Sequence, residues 1–145
     1  MDKEIYNVKV VKFGGSSLAD AEQFKKVGSI IKSDTSRRFV VPSAPGKRFS
    51  GDTKVTDMLY SCYNTAQNGG DFDSVFAMVK DRFDSIIAGL GLSLDLSAEY
   101  EHIKWAILHH AGRDYAASRG EYLNGMILAE YLGYDFIDPA DYIKF

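Results

Sequence analysis

The feature that most restricts this chain's fold is a change of period close to its N-terminus. Asn7 to Phe13 (NVKVVKF) is rich in β-branched residues and stops at Gly14-Gly15, the pattern of a buried strand closed by a tight turn. From Ser17 the apolar positions take helical spacing, with Phe24, Val27 and Ile31 on one face to about Ser33, and Ser17 with Asp20 as a capping box. Asp34 to Arg37 is polar turn sequence, and Arg38 to Val41 reads as a second buried strand stopped at Pro42. A β-turn-α-β opening of this kind makes a right-handed crossover between parallel strands. It puts the first turn at the carboxyl edge, where open α/β sheets bind ligands.

Ser43 to Asp52 (SAPGKRFSGD), with Pro45 and the basic pair Lys47 and Arg48, reads as an exposed, mobile loop. Helical segments are expected over about Thr53–Gln67, over Ser74–Ala88 with Val75, Val79, Phe83 and Ile86 on one face, and over Leu96–Ala111. A further helix is expected over Glu121–Tyr131, then Gly133 as a C-cap and a strand over Tyr134–Ile137. The chain then ends in apolar sequence at Tyr142-Ile-Lys-Phe145, so soon after a strand that it reads as a fragment of something longer.

At 145 residues the chain is one domain, 1–145. A net charge of −3 provides no basic field for a phosphate backbone, which argues against nucleic acid. No window approaches about eighteen consecutive apolar residues, so no membrane span is expected. Met1-Asp2-Lys3-Glu4 lacks the apolar core of a signal peptide, and the lone Cys62 can form no internal disulfide; both fit a cytoplasmic protein.

Chemistry is most readily placed at Lys12-Phe13-Gly14-Gly15-Ser16-Ser17. Two glycines admit a ligand close to the backbone, a helix N-terminus offers unpaired N–H groups, and Lys12 adds a full charge, the equipment of a phosphate site. A plain Gly-Gly turn with Ser17 as a cap explains the same residues, and the run is neither a Walker A loop nor G-x-G-x-x-G. The turn after the second strand could bring the Ser43 and Thr56 hydroxyls beside the first loop, or be an ordinary loop with a helix cap. Ser118-Arg119-Gly120-Glu121 has capping-box spacing, yet Gly120 in a first turn weakens a helix by about 1 kcal/mol, as though the backbone were needed there. His102, His109 and His110 form no metal pattern.

At these residues the sequence resembles the aspartokinases of the amino-acid kinase family. Val10 to Ser17 is similar to the opening K-F-G-G-[ST]-S signature, with Ser16 where Thr is commoner. Val40-Val41-Pro42-Ser43-Ala44 with Gly46 is similar to V-V-x-S-A, Val55 to Leu59 to T-[DN]-x-L, and Ser118 to Glu121 to S-x-G-E. The resemblance covers the whole chain but only the first half or so of a catalytic domain, and includes no regulatory ACT domain.

The resemblance implies an α/β fold, an αβα sandwich with a mainly parallel sheet, here an incomplete N-terminal half. It implies transfer of the ATP γ-phosphoryl group to the β-carboxylate of L-aspartate, giving 4-phospho-L-aspartate, the first step toward lysine, threonine and methionine. Carried over, Lys12, Phe13, Gly14, Gly15 and Ser16 would meet the phosphates, with Lys12 as the catalytic charge. Ser43, Thr56 and Glu121 would hold aspartate, Glu121 pairing with its ammonium group. ATP would enter with Mg2+ held mainly by the nucleotide, with no protein metal ligand. A carboxylate nucleophile is ionised at neutral pH, so alignment and charge neutralisation suffice without a general base. The chain alone is expected to be inactive, and a half-built sheet is expected to self-associate as a homo-oligomer. The alternatives are a kinase for another acid, acetylglutamate or glutamate, and a non-catalytic ligand-binding fragment.

Overall fold

The computed structural model describes residues 7–144; the charged start Met1 to Glu4 and the final Phe145 lie outside them. The predicted β-turn-α-β order holds, but the two strands are not buried as their apolar runs implied, since helices cover only one of their faces. Strands β1 (Lys9–Phe13) and β2 (Arg37–Pro42) pair in parallel, joined through helix α1 (Ala21–Lys32). Helices α2 (Val55–Asn68), α3 (Phe72–Gly89), α4 (Ser97–Leu108) and α5 (Arg113–Leu132) follow.

The core is what the helical spacing calls for: Phe24, Val27 and Ile31 of α1 meet Leu59, Val79, Phe83, Ile86, Leu123 and Ile127, all buried. Cys62 belongs to this core, and burial pushes its thiol up to about 12. α2 packs against α3 on one side and α5 on the other.

The sheet has two strands among the described residues, and helices cover one face of it. Phe13 and Val40 turn toward the helices, whereas Val10, Phe39 and Val41 remain 68%, 53% and 49% exposed. In the register Val10 stands opposite Phe39 and Lys12 opposite Val41, so this bare face is a continuous apolar stripe with Lys12 at its end. The parallel α/β arrangement is as expected, with one layer of helices in place and no second layer among the described residues.

Several element boundaries differ from the sequence reading. Gly15–Leu18 forms a 3-10 turn, and α1 starts only after Asp20, whose carboxylate accepts from the Gln23 N–H at 2.9 Å. Asp20 is therefore the cap itself and not the closing residue, three positions on, of a box begun at Ser17. Asp71 caps α3 in the same way, through the Ser74 N–H. α5 begins eight residues before Glu121, at Arg113, so Ser118 lies inside the helix and its hydroxyl donates to the Tyr115 carbonyl. Gly133 does end α5, with φ of 71°.

No strand forms at Tyr134–Ile137. The segment is anchored otherwise: the Tyr134 N–H donates to the Ala129 carbonyl at 2.9 Å and its hydroxyl to the Arg37 carbonyl at 3.3 Å, and Phe136 meets Tyr122 edge-on at 5.6 Å. A strand is defined by its ladder, and among the described residues no strand lies alongside this segment to build one.

Candidate functional site

The loops that follow the two strands touch through their backbones. The Ser43 N–H donates to the Phe13 carbonyl at 3.0 Å and the Gly46 N–H to the Gly15 carbonyl at 2.8 Å. This approach requires glycine on both sides. A Cβ on Gly15 would lie 2.9 Å from the Ala44 oxygen, and one on Gly46 would lie 2.7 Å from the Gly15 carbonyl carbon.

Helix α5 supports the same junction from below. Asn124, fully buried, donates from Nδ2 to the Ser43 carbonyl at 2.7 Å, and Gly120 lies so close that a Cβ there would come within 2.7 Å of the Ala44 methyl. Gly120 thus gives the loop room to lie against the helix one residue from Glu121.

A cavity of about 500 Å3 opens at this junction, lined by Gly15, Ser16, Ser43, Thr56, Lys47, Lys54 and Glu121 together with the Ala44–Gly46 turn. Four separate stretches of chain therefore meet at one place. Of the residues singled out from sequence, Gly15, Ser16, Ser43, Thr56 and Glu121 line it. Lys12, Phe13 and Gly14 do not: Lys12 extends on the bare sheet face, Phe13 packs into the core edge, and Gly14 precedes the 3-10 turn. Glu121, Lys47 and Lys54 have no ion-pair partner among the described residues, so the cavity presents one uncompensated anion and two uncompensated cations.

Lys47, Lys54 and the buried Arg82 behind the loop were not assigned to the site by sequence. Lys47 and Lys54 lie in a loop whose path no local pattern encodes. Arg82 did carry a signal: it falls three residues after Val79 and four before Ile86, a charge on the apolar stripe of a helix. The loop itself is only partly the exposed, mobile segment expected. Ala44 to Gly46 are buried, and beyond them Arg48 grips Asp52 at 2.7 and 2.9 Å. These hydrogen bonds hold the Asp52 carboxyl well below its ordinary value of 3.8.

A larger groove of about 1160 Å3 runs between β2, α5 and residues 134–140, with Phe39, Val41, Tyr122 and Phe136 among its walls. Glu121 stands at the border of both spaces. The groove follows the uncovered part of the sheet, whereas the smaller cavity gathers hydroxyls and charges of both signs, which marks it as the candidate site.

Residues 7–144 match the amino acid kinase family. The chain belongs to that family. It is 34% identical to Aspartokinase 3 of Bacillus subtilis over an alignment that takes in 92% of this chain and 32% of the relative. It is 38% identical to the chloroplastic bifunctional aspartokinase/homoserine dehydrogenase 1 of Zea mays, over 52% of this chain and 7% of that protein. Among solved structures, Clostridium acetobutylicum aspartate kinase superposes with a TM-score of 0.87 at 53% identity, covering 90% of this chain and 30% of the enzyme. Escherichia coli aspartokinase III, in complex with aspartate and ADP, shares the fold with a TM-score of 0.67 at 24% identity, over 87% of this chain and 29% of that one. The chain thus spans about a third of the length of Aspartokinase 3 and of the aspartate kinase structures. No helix among the described residues is long and apolar enough to cross a membrane.

Proposed function

We propose that the cavity is the acceptor site of an aspartate kinase, in which the β-carboxylate of L-aspartate attacks the γ-phosphorus of ATP, the bond to ADP breaks, and 4-phospho-L-aspartate forms. The observation that carries this reading is the charge pattern: Glu121 beside Lys47 and Lys54, around the Ser43 and Thr56 hydroxyls, in a space of about 500 Å3. One anion suits one ammonium group, and two cations suit two carboxylates or a carboxylate and a phosphoryl group. Relatives that are aspartate kinases, one of them solved with aspartate and ADP, support the same assignment.

In this reading Ser43 and Thr56 orient the carboxylates, Glu121 fixes the ammonium, and Gly15 and Ser16 offer backbone N–H groups toward the incoming phosphate. Lys12, with Phe13 and Gly14, would join the phosphate side as the nucleotide binds against the turn. Mg2+ would arrive on the nucleotide and offset its charge; Glu121 is the one carboxylate of the cavity, and no cluster of metal-ligating side chains occurs among the described residues. Cytoplasmic location and a homo-oligomeric state complete the proposal.

The test is calorimetric titration of the chain with L-aspartate, L-glutamate and N-acetylglutamate, beside a hydroxylamine assay for acyl phosphate with ATP and Mg2+. Aspartate is expected to bind in preference to both other acids, and the chain by itself is expected to form no acyl phosphate. Preference for glutamate or N-acetylglutamate reassigns the substrate, and turnover by this chain alone refutes its predicted inactivity.

A further inference from the structure

Helix α3 contributes a charge that the proposed chemistry does not use. Arg82 is 4% exposed and reaches between the end of the 3-10 turn and the β2–α2 loop. Its Nη2 donates to the Gly46 carbonyl at 2.8 Å and the Ala19 carbonyl at 3.1 Å. Its Nη1 donates to the Thr53 carbonyl at 3.0 Å and to the Asp52 carboxylate at 3.3 Å. One guanidinium therefore holds both ends of the segment from Gly46 to Thr53 and ties them to the turn after β1. Its fork shape allows this, since a single ammonium cannot reach acceptors so spread.

The two clamped loop carbonyls belong to the peptide units Gly46–Lys47 and Thr53–Lys54. Because a trans peptide is planar with C=O and N–H opposed, drawing each oxygen inward to Arg82 turns the following N–H away from it and fixes the Cα of each lysine. Neither lysine N–H has a partner among the hydrogen bonds of the described residues. Asp52, shared by Arg82 and Arg48, offsets the charge that a buried arginine would otherwise add beside two lysines.

Taking the cavity as the aspartate site proposed above, we infer that Arg82 is its positioning residue: by holding the Gly46 and Thr53 carbonyls it sets where Lys47 and Lys54 stand, and hence the affinity for a doubly anionic ligand. The experiment compares Arg82→Gln and Arg82→Lys with Val79→Ala, a core truncation on the same helix that leaves the clamp intact. Amide hydrogen exchange is read at Gly46, Arg48, Asp52 and Val55, whose N–H groups are bonded within the loop region, and L-aspartate affinity is read by calorimetry.

Arg82→Gln should speed exchange at these amides by about tenfold or more relative to Val79→Ala and weaken aspartate by a similar factor. Arg82→Lys should fall between it and the wild type. Exchange in Arg82→Gln no faster than in Val79→Ala, or unchanged aspartate affinity, overturns the assignment. If Arg82→Gln does not fold, Arg82→Lys decides, and wild-type exchange and affinity in that variant overturn it as well. A wild-type chain that binds no aspartate refutes the proposed function instead, while the exchange comparison still judges whether Arg82 holds the loop.

Discussion

Gly120 is under two opposing demands. Alanine would stabilise the middle of α5 by about 0.8–1.0 kcal/mol through helix propensity alone. Its Cβ, however, would lie 2.7 Å from the Ala44 methyl and 3.4 Å from Leu59. Contact should win: Gly120→Ala is expected to lose about 1–3 kcal/mol in urea unfolding and to displace the Ser43–Gly46 turn. A gain in stability would contradict that. At Asp52 the folded carboxyl titrates below its ordinary 3.8, so the fold favours the ionised form. Its contribution is present above that value and is lost as pH falls toward the depressed one. Urea unfolding between pH 7 and pH 3 should therefore show a shallower acid loss in Asp52→Asn than in the wild type. Cys62 is the opposite case, a thiol raised by burial, and should resist alkylation at pH 8 until the chain unfolds. Rapid labelling of native protein would contradict its place in the core.

Helix α1 was legible because its apolar period matches what it buries, and the strands because of their β-branched composition, although only one face of each is covered. Phe24, Val27 and Ile31 at helical intervals leave few alternatives. Capping patterns were less reliable guides, since Ser118 with Glu121 has the spacing of a helix start and yet lies within α5. Tyr134 to Ile137 has strand composition, but pairing is a tertiary fact that composition does not carry. Asp20 offers a direct test of α1. Asp20→Ala removes the one side chain that caps α1 and should cost about 1 kcal/mol, read as a lower urea midpoint. The candidate site was legible in part for a related reason. Ser43 and Thr56 sit in short motifs at the end of β2 and the start of α2, and Glu121 in one within α5, whereas Lys47 and Lys54 join them only through a loop path that Arg82 imposes from α3.

On the bare face of the sheet, Val10, Phe39 and Val41 form an exposed apolar stripe that no element among the described residues covers. We expect the chain to self-associate through it. Sedimentation velocity should show oligomers that the triple change Val10→Thr, Phe39→Thr, Val41→Thr disperses, and a monomeric wild type at micromolar concentration would count against this. The smaller cavity is tested by calorimetric titration of the wild type and Glu121→Gln with L-aspartate, repeated with succinate, which lacks the ammonium group. A charge-assisted pair with Glu121 is worth about 1.5–3 kcal/mol, so Glu121→Gln should bind aspartate about tenfold to a hundredfold more weakly than the wild type. Succinate should gain nothing from Glu121. Equal aspartate binding by both proteins, or a folded wild type that takes up none, would show that the cavity does not hold aspartate through Glu121.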